Sequence, residues 1–182
     1  MPQTVLTFLR RLNLWVASLV GVVLLACAVF ILADIILRQL GSSFGGTDEI
    51  SGYVMAIVTS WGMAFTMLEL GHVRIDILRS QLASRGRVIM DLFSQAVLAL
   101  TISVIAFQCW PVVANSIQNS STANTPLETP LTLVQMPWFL GWTWFALNAW
   151  ITLAAAAVLT LRGDYDSTES AIGAFAEQET MK

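Results

Sequence analysis

The chain has 182 residues, 56% of them hydrophobic and 12% charged, with a formal net charge of -3, whereas an ordinary soluble domain carries roughly 25% charged residues. So few polar residues cannot cover a soluble globule, and the nine basic residues are scattered over short connecting segments, with no stripe of the kind that binds nucleic acid. One histidine, two cysteines and no CxxC or HExxH spacing leave no ligand set for a structural zinc site, a zinc hydrolase or a bis-histidine haem, so no catalytic residue, metal or other cofactor is expected.

A helix needs about 20 apolar residues to cross a hydrocarbon layer about 30 Å thick, and in lipid it must satisfy every backbone hydrogen bond internally. Four runs meet that length. The expected fold is therefore an all-α membrane domain over residues 1–163 with spans at about 12–37, 50–70, 88–113 and 138–161.

Arg10 and Arg11 precede the first span, and Ala17 and Gly21 set a short small-residue pattern along it. Arg10, Arg11, the apolar run and Leu24-Leu25-Ala26-Cys27 also fit a lipoprotein-type signal peptide. The almost wholly apolar continuation from Ala28 to Leu37 argues against cleavage, because a released protein begins with a polar linker. Cys27 and Cys109 both lie in apolar runs, where a thiol acts as a small hydrophobe and no disulfide is expected. Asp34 and Arg38 are four apart at the far end of the span, a spacing that permits a same-face ion pair.

A Gly/Ser turn from Gly41 to Thr47 leads into the second span, where Thr47, Asp48 and Glu49 suit the positive end of a helix dipole as a hydroxyl cap and two carboxylates. Gly52, Ala56, Ser60 and Ala64 follow at spacing four, one face of small side chains that allows close helix approach. Packing within the four-helix unit and docking onto another subunit both fit that stripe. Glu69 lies near the end of the span, three residues before His72, and is placed to pair with it or with a partner.

From Gly71 to Gly86 the chain is polar, and 71–79 alternates charged with aliphatic residues just past the span. A short interfacial segment fits: Val73, Ile77 and Leu78 enter the headgroup boundary while Arg74 and Arg79 meet anionic membrane lipids or a neighbouring protein. In the third span Asp91 occupies the first turn, and Gln95, Gln108 and, in the fourth span, Asn148 stand singly. The loop from Asn115 to Met136 has no Lys or Arg; its Asn119-Ser120-Ser121 sequon carries little weight. Pro137 suits the first turn of the fourth helix, and residues 164–182 read as a short, flexible, acidic cytoplasmic tail.

Lys and Arg accumulate in cytoplasmic loops. With four spans, Arg10, Arg11, Arg74, Arg79, Arg85, Arg87, Arg162 and Lys182 share one side and only Arg38 falls on the other, which predicts both termini in the cytoplasm. No series of carboxylates crosses the spans, and no inverted repeat with broken helices marks a self-sufficient ion-coupled carrier. A membrane anchor subunit of a respiratory or quinone-linked complex is the alternative, although only a quinone-only anchor escapes the missing ligands. A sensor lacks an output domain in so short a tail, and an intramembrane enzyme lacks a nucleophile–base arrangement.

Arg38 closing span one, Asp48-Glu49 opening span two, Gly62-Met63-Ala64 in its middle and Gly71-His72-Val73-Arg74-Ile75-Asp76 at its exit resemble the ordered signature of one family. It is the small membrane subunit, DctQ type, of the tripartite ATP-independent periplasmic (TRAP) transporters. The family's Glu-Glu falls on Asp48 and Glu49, its Gly-Ala on Gly62 and Ala64, and its His-x-Arg-x-Asp on His72, Arg74 and Asp76, while the aromatic residue that usually precedes the acidic pair is replaced by Gly46-Thr47. Spans three and four match by hydropathy alone. The resemblance implies a non-catalytic scaffold in the bacterial inner membrane, bound to a large TRAP permease subunit that carries a sodium-coupled transport site. It also implies a periplasmic solute-binding protein that supplies organic acids to that permease. Arg38, Glu49, Glu69, His72, Arg74 and Asp76 would then fix helix ends and docking.

Overall fold

The structure, a computed structural model, describes residues 2–72 and 79–173. Among these the fold is all-helical, with helices α1 (Pro2–Gln39), α2 (Thr47–Leu68), α3 (Ser84–Gln118), α4 (Leu131–Leu161) and a short α5 (Tyr165–Ile172). The first four are each long and apolar enough to cross a membrane, as the hydrophobic run lengths predicted.

Helix α4 is the hub. It packs against α2 along one side, α3 along another, α1 near the chain terminus and α5 at its own end, while α1 leans mainly on α2. The main core draws Leu9 from α1, Ala64, Met67 and Leu68 from α2, Ala99 and Ile102 from α3, and Phe145 and Ala149 from α4. A second cluster of Leu6, Ala155, Ala156, Leu159, Ala171 and Ile172 seats α5 between α1 and α4.

Polarity runs inside out. Leu19, Leu25, Leu32, Phe93, Val104, Phe107 and Leu147 face outward, whereas Asn13, Asp34, Ser60, Asp91, Gln95, Asn148 and Thr152 are buried. A water-soluble domain hides its large apolar side chains; this chain presents them, which is what a hydrocarbon solvent rewards.

The helices overrun the predicted spans because apolar windows mark the lipid core while helical hydrogen bonding continues beyond it. Helix α1 begins ten residues before position 12, and α4 begins at Leu131 with Pro130 as its N-cap. Pro137 therefore lies inside α4 and not in its first turn. It removes one N–H that the Leu133 carbonyl would accept, a loss that membrane helices tolerate where neighbouring groups compensate.

Thr47 is likewise no cap: Gly46 holds the N-cap position at φ 66° without a side-chain hydrogen bond, and Thr47 is buried as the first helical residue. Glycine serves at position 46 for two reasons, the left-handed backbone and the Leu127 side chain, whose Cγ would lie 2.6 Å from an added Cβ. Of the interfacial segment between α2 and α3, a 3-10 turn at Arg79–Gln81 is described, while Arg74 and Asp76 lie outside the described residues.

The stretch expected to be a flexible tail instead starts with α5, where Asp164 caps the helix by accepting from the Ser167 amide at 3.2 Å. Its Glu169 pairs with Arg87 on α3, and that pairing, with burial of Ala171 and Ile172, is what an isolated polar octapeptide lacks.

Candidate functional site

The sequence-selected residues fall into three groups along α1 and α2. At the loop end Arg38 places Nε and Nη2 on Asp34 Oδ2, both at 2.7 Å, so the expected ion pair forms. The other carboxylate oxygen accepts from Ser43 Oγ and the Phe44 amide, each at 2.9 Å. Asp34 thus ties the α1–α2 turn to its own helix, and it is 1% exposed while Arg38 remains half exposed. Asp48 is exposed in the first turn of α2. Glu49 is half-buried, accepts from Tyr53 Oη at 2.6 Å, and has the Thr125 and Thr129 hydroxyls of the long loop beside it.

The small-residue stripe divides along the helix. Ser60 and Ala64 are fully buried; Ala64 enters the main core, and Ser60 lies against Gly141 of α4 so closely that a Cβ on Gly141 would overlap its hydroxyl. Gly52 is exposed, Ala56 is partly exposed, and neither Gly52 nor Gly62 has anything within 4 Å of an added Cβ. The stripe is therefore an α2–α4 seam over its second half and an open face over its first.

At the other end Glu69 is the exposed C-cap of α2, and the His72 ring stacks on Phe145 with centroids 6.2 Å apart. From Glu49 to Glu69 the helix rises about 30 Å at ~1.5 Å per residue, so these groups cannot converge on one cavity. Chemically they hold helix ends and seams. Among the described residues no group of three or more His, Cys, Asp or Glu is placed to hold a metal ion.

Three features were missed by sequence reasoning. Asn13 Nδ2 donates to Asn148 Oδ1 at 2.8 Å while Asn13 Oδ1 accepts from Trp144 Nε1 at 3.0 Å, an interhelical link between α1 and α4. Gln95 Nε2 reaches Met67 Sδ and the Ala149 carbonyl, each at 3.3 Å, joining α3 to α2 and α4. At the termini end Arg79 binds Asp91 through two bonds of 2.8 and 2.9 Å, and Arg87 Nε donates to Glu169 at 3.0 Å. The signal available beforehand was a lone amide or carboxylate within an apolar run, which marks a polar contact without naming its partner.

Residues 27–162 match the family described as tripartite ATP-independent periplasmic transporters, DctQ component. The chain belongs to this family. The DctQ match starts within α1 and ends one residue past α4, so it covers the last third of α1 and all of α2, α3 and α4, and leaves α5 outside. With four membrane-length helices, this DctQ chain is the small, multi-pass membrane subunit of a TRAP transporter, a component that works with the other TRAP components. Neither the curated proteins nor the solved structures contain a significant match.

Proposed function

We propose that this DctQ subunit is a non-catalytic scaffold for the large TRAP permease subunit, in a transporter that takes up organic acids with sodium and receives them from a periplasmic solute-binding protein. It lies in the bacterial inner membrane with both termini in the cytoplasm. The observation that carries the reading is the use of the buried polar groups: Asp34, Asn13, Asn148, Gln95 and Asp91 each bond to another helix or to an adjoining turn. Groups so engaged hold helices to one another and are not free to bind a solute. A permease that moves one domain against another needs a partner that stays fixed, and an internally bonded bundle with an apolar exterior supplies that area in the bilayer.

Among the described residues Arg10, Arg11, Arg79, Arg85, Arg87 and Arg162 share the termini end and Arg38 stands at the other, which supports the orientation. The docking role falls on Arg38, Asp48, Glu49, Glu69, His72, Arg74 and Asp76 together with the open face at Gly52 and Ala56. Arg74→Ala and Asp76→Ala are expected to reduce co-purification of the large subunit and solute uptake. Unchanged assembly and uptake in both variants would remove the scaffold assignment from these residues.

A further inference from the structure

Between the first turns of α1 and the face of α5 lies a cleft of about 390 Å³ whose walls include Gln3, Thr7, Arg10, Asp166 and Ser170, with Leu6 on its apolar side. We propose that this cleft binds the headgroup of a phosphatidylethanolamine-type lipid, its phosphodiester on Arg10 and its primary ammonium on Asp166.

Depth in the membrane is the first argument. Trp15 projects from α1 with 78% of its surface exposed, the position of an indole in the headgroup belt. Arg10 lies five residues nearer the terminus, about 7 Å further out at ~1.5 Å per residue, the level of the lipid phosphates. The second argument is the charge pattern. Arg10 Nη2 donates to the Ser170 carbonyl at 3.0 Å, which orients the guanidinium and leaves most of its five donors for an anion. Asp166 makes no ion pair among the described residues, so the cleft presents one cation and one unpaired carboxylate. That pair suits a zwitterion carrying a phosphate and an N–H-bearing ammonium. A choline headgroup offers the same phosphate but no N–H donor, and a glycerol headgroup offers no cation.

The third argument is construction. The Gln3 amide donates to Ser167 Oγ at 2.9 Å, and Leu6 packs with Ala171 and Ile172 below, so two elements far apart in sequence form the walls. A headgroup seated there bridges the first turns of α1 to α5, both outside the DctQ-matched residues.

The test uses the full chain, purified in detergent, stripped of lipid and offered equal amounts of phosphatidylethanolamine, phosphatidylcholine and phosphatidylglycerol, with bound lipid counted by native mass spectrometry. The wild type is expected to retain phosphatidylethanolamine over phosphatidylcholine by roughly 1.5-fold to fivefold, the range for exposed charge pairs. Asp166→Asn abolishes that preference while total lipid retained stays level, and Arg10→Gln lowers retention of all three. Arg11→Gln, on an adjoining cavity that shares Gln3 and Thr7 with the cleft but neither Arg10 nor Asp166, keeps the preference. Equal retention of the two zwitterions by the wild type overturns the proposal. So does a preference that survives in Asp166→Asn while α5 still resists protease. If millimolar inorganic phosphate displaces the lipid as well as excess phosphatidylethanolamine does, the cleft is a free-anion site and the lipid assignment falls.

Discussion

The contact between α2 and α4 leaves no room for a Cβ at position 141, and Gly141→Ala tests it. A Cβ at position 141 would overlap the Ser60 hydroxyl and lie 2.8 Å from both Ser60 Cβ and Trp61 Cδ1, against about 3.5–4.0 Å for favourable carbon contacts. Neither neighbour has an easy escape: Ser60 is fully buried and donates to the Ile57 carbonyl at 2.9 Å. Trp61 donates to the Pro137 carbonyl at 2.9 Å and stacks on Trp144 at 6.4 Å. Overpacking costs about 1–3 kcal/mol, and overlap with two backed side chains belongs in the upper part of that range, about 2–3 kcal/mol. With about 1 kcal/mol recovered because alanine is the better helix former, a net loss of about 1–2 kcal/mol is expected. At about 2–4 °C per kcal/mol for a chain of this size, the transition in detergent, followed by tryptophan fluorescence, falls by about 2–8 °C. Gly62→Ala is the control, since nothing lies within 4 Å of its Cβ position, and it leaves the transition unchanged or slightly raised. Adding Ser60→Gly to Gly141→Ala removes two of the three close atoms and recovers most of the loss. A Gly141→Ala protein that melts with the wild type, or a double variant with no recovery, refutes the close-packed seam.

Three further outcomes follow from the polar contacts. Asn13→Leu leaves Asn148 Oδ1 and Trp144 Nε1 without their partner and is expected to cost about 1–3 kcal/mol; adding Asn148→Leu costs less than the sum of the single losses, as denaturation of the double variant reads out. Asp91→Asn breaks a pair whose side chains are 3% and 16% exposed and should cost about 3–5 kcal/mol. Glu169→Gln breaks one at 25% and 34% exposure and should cost about 0.2–1 kcal/mol, so unfolding curves must rank Asp91 well above Glu169. Asp34→Asn weakens the acceptor that holds Phe44 and Ser43, and hydrogen exchange at the Phe44 amide is expected to quicken while amides in the α2–α4 seam do not change.

The span count and the ion pair at Asp34 and Arg38 were legible because each depends on local spacing: run length for a helix, four residues for a pair. Capture of Phe44 by the same carboxylate was not, since it requires the closed turn. The seam at Ser60 was half legible. Its stripe is a local period, but Gly141 lies 81 positions away and nothing local says which part of the stripe it meets. Asn13 and Asn148 are 135 positions apart, so sequence alone could mark Asn148 as costly in lipid and no more. Helix α5 was hidden for another reason: its own residues are mostly polar, and its stability comes from Leu6 and Leu159 of other helices and from Arg87.

One set of arginines has two duties here. Arg79 and Arg87 belong to the basic cluster from which the orientation was predicted, yet in the folded bundle each faces a carboxylate on α3 or α5. In the proposed orientation their charge would favour the cytoplasmic side; in the folded bundle it ties the start of α3 to the chain's last described helix. Arg10 joins the same tie through the Ser170 carbonyl, and the Arg85 guanidinium sits 6.0 Å over the Tyr165 ring. The termini end is thereby stapled across α1, α3, α4 and α5, as Asp34 staples the opposite turn. A bundle tied at both ends and at its midpoint in this way is consistent with the scaffold role proposed for it.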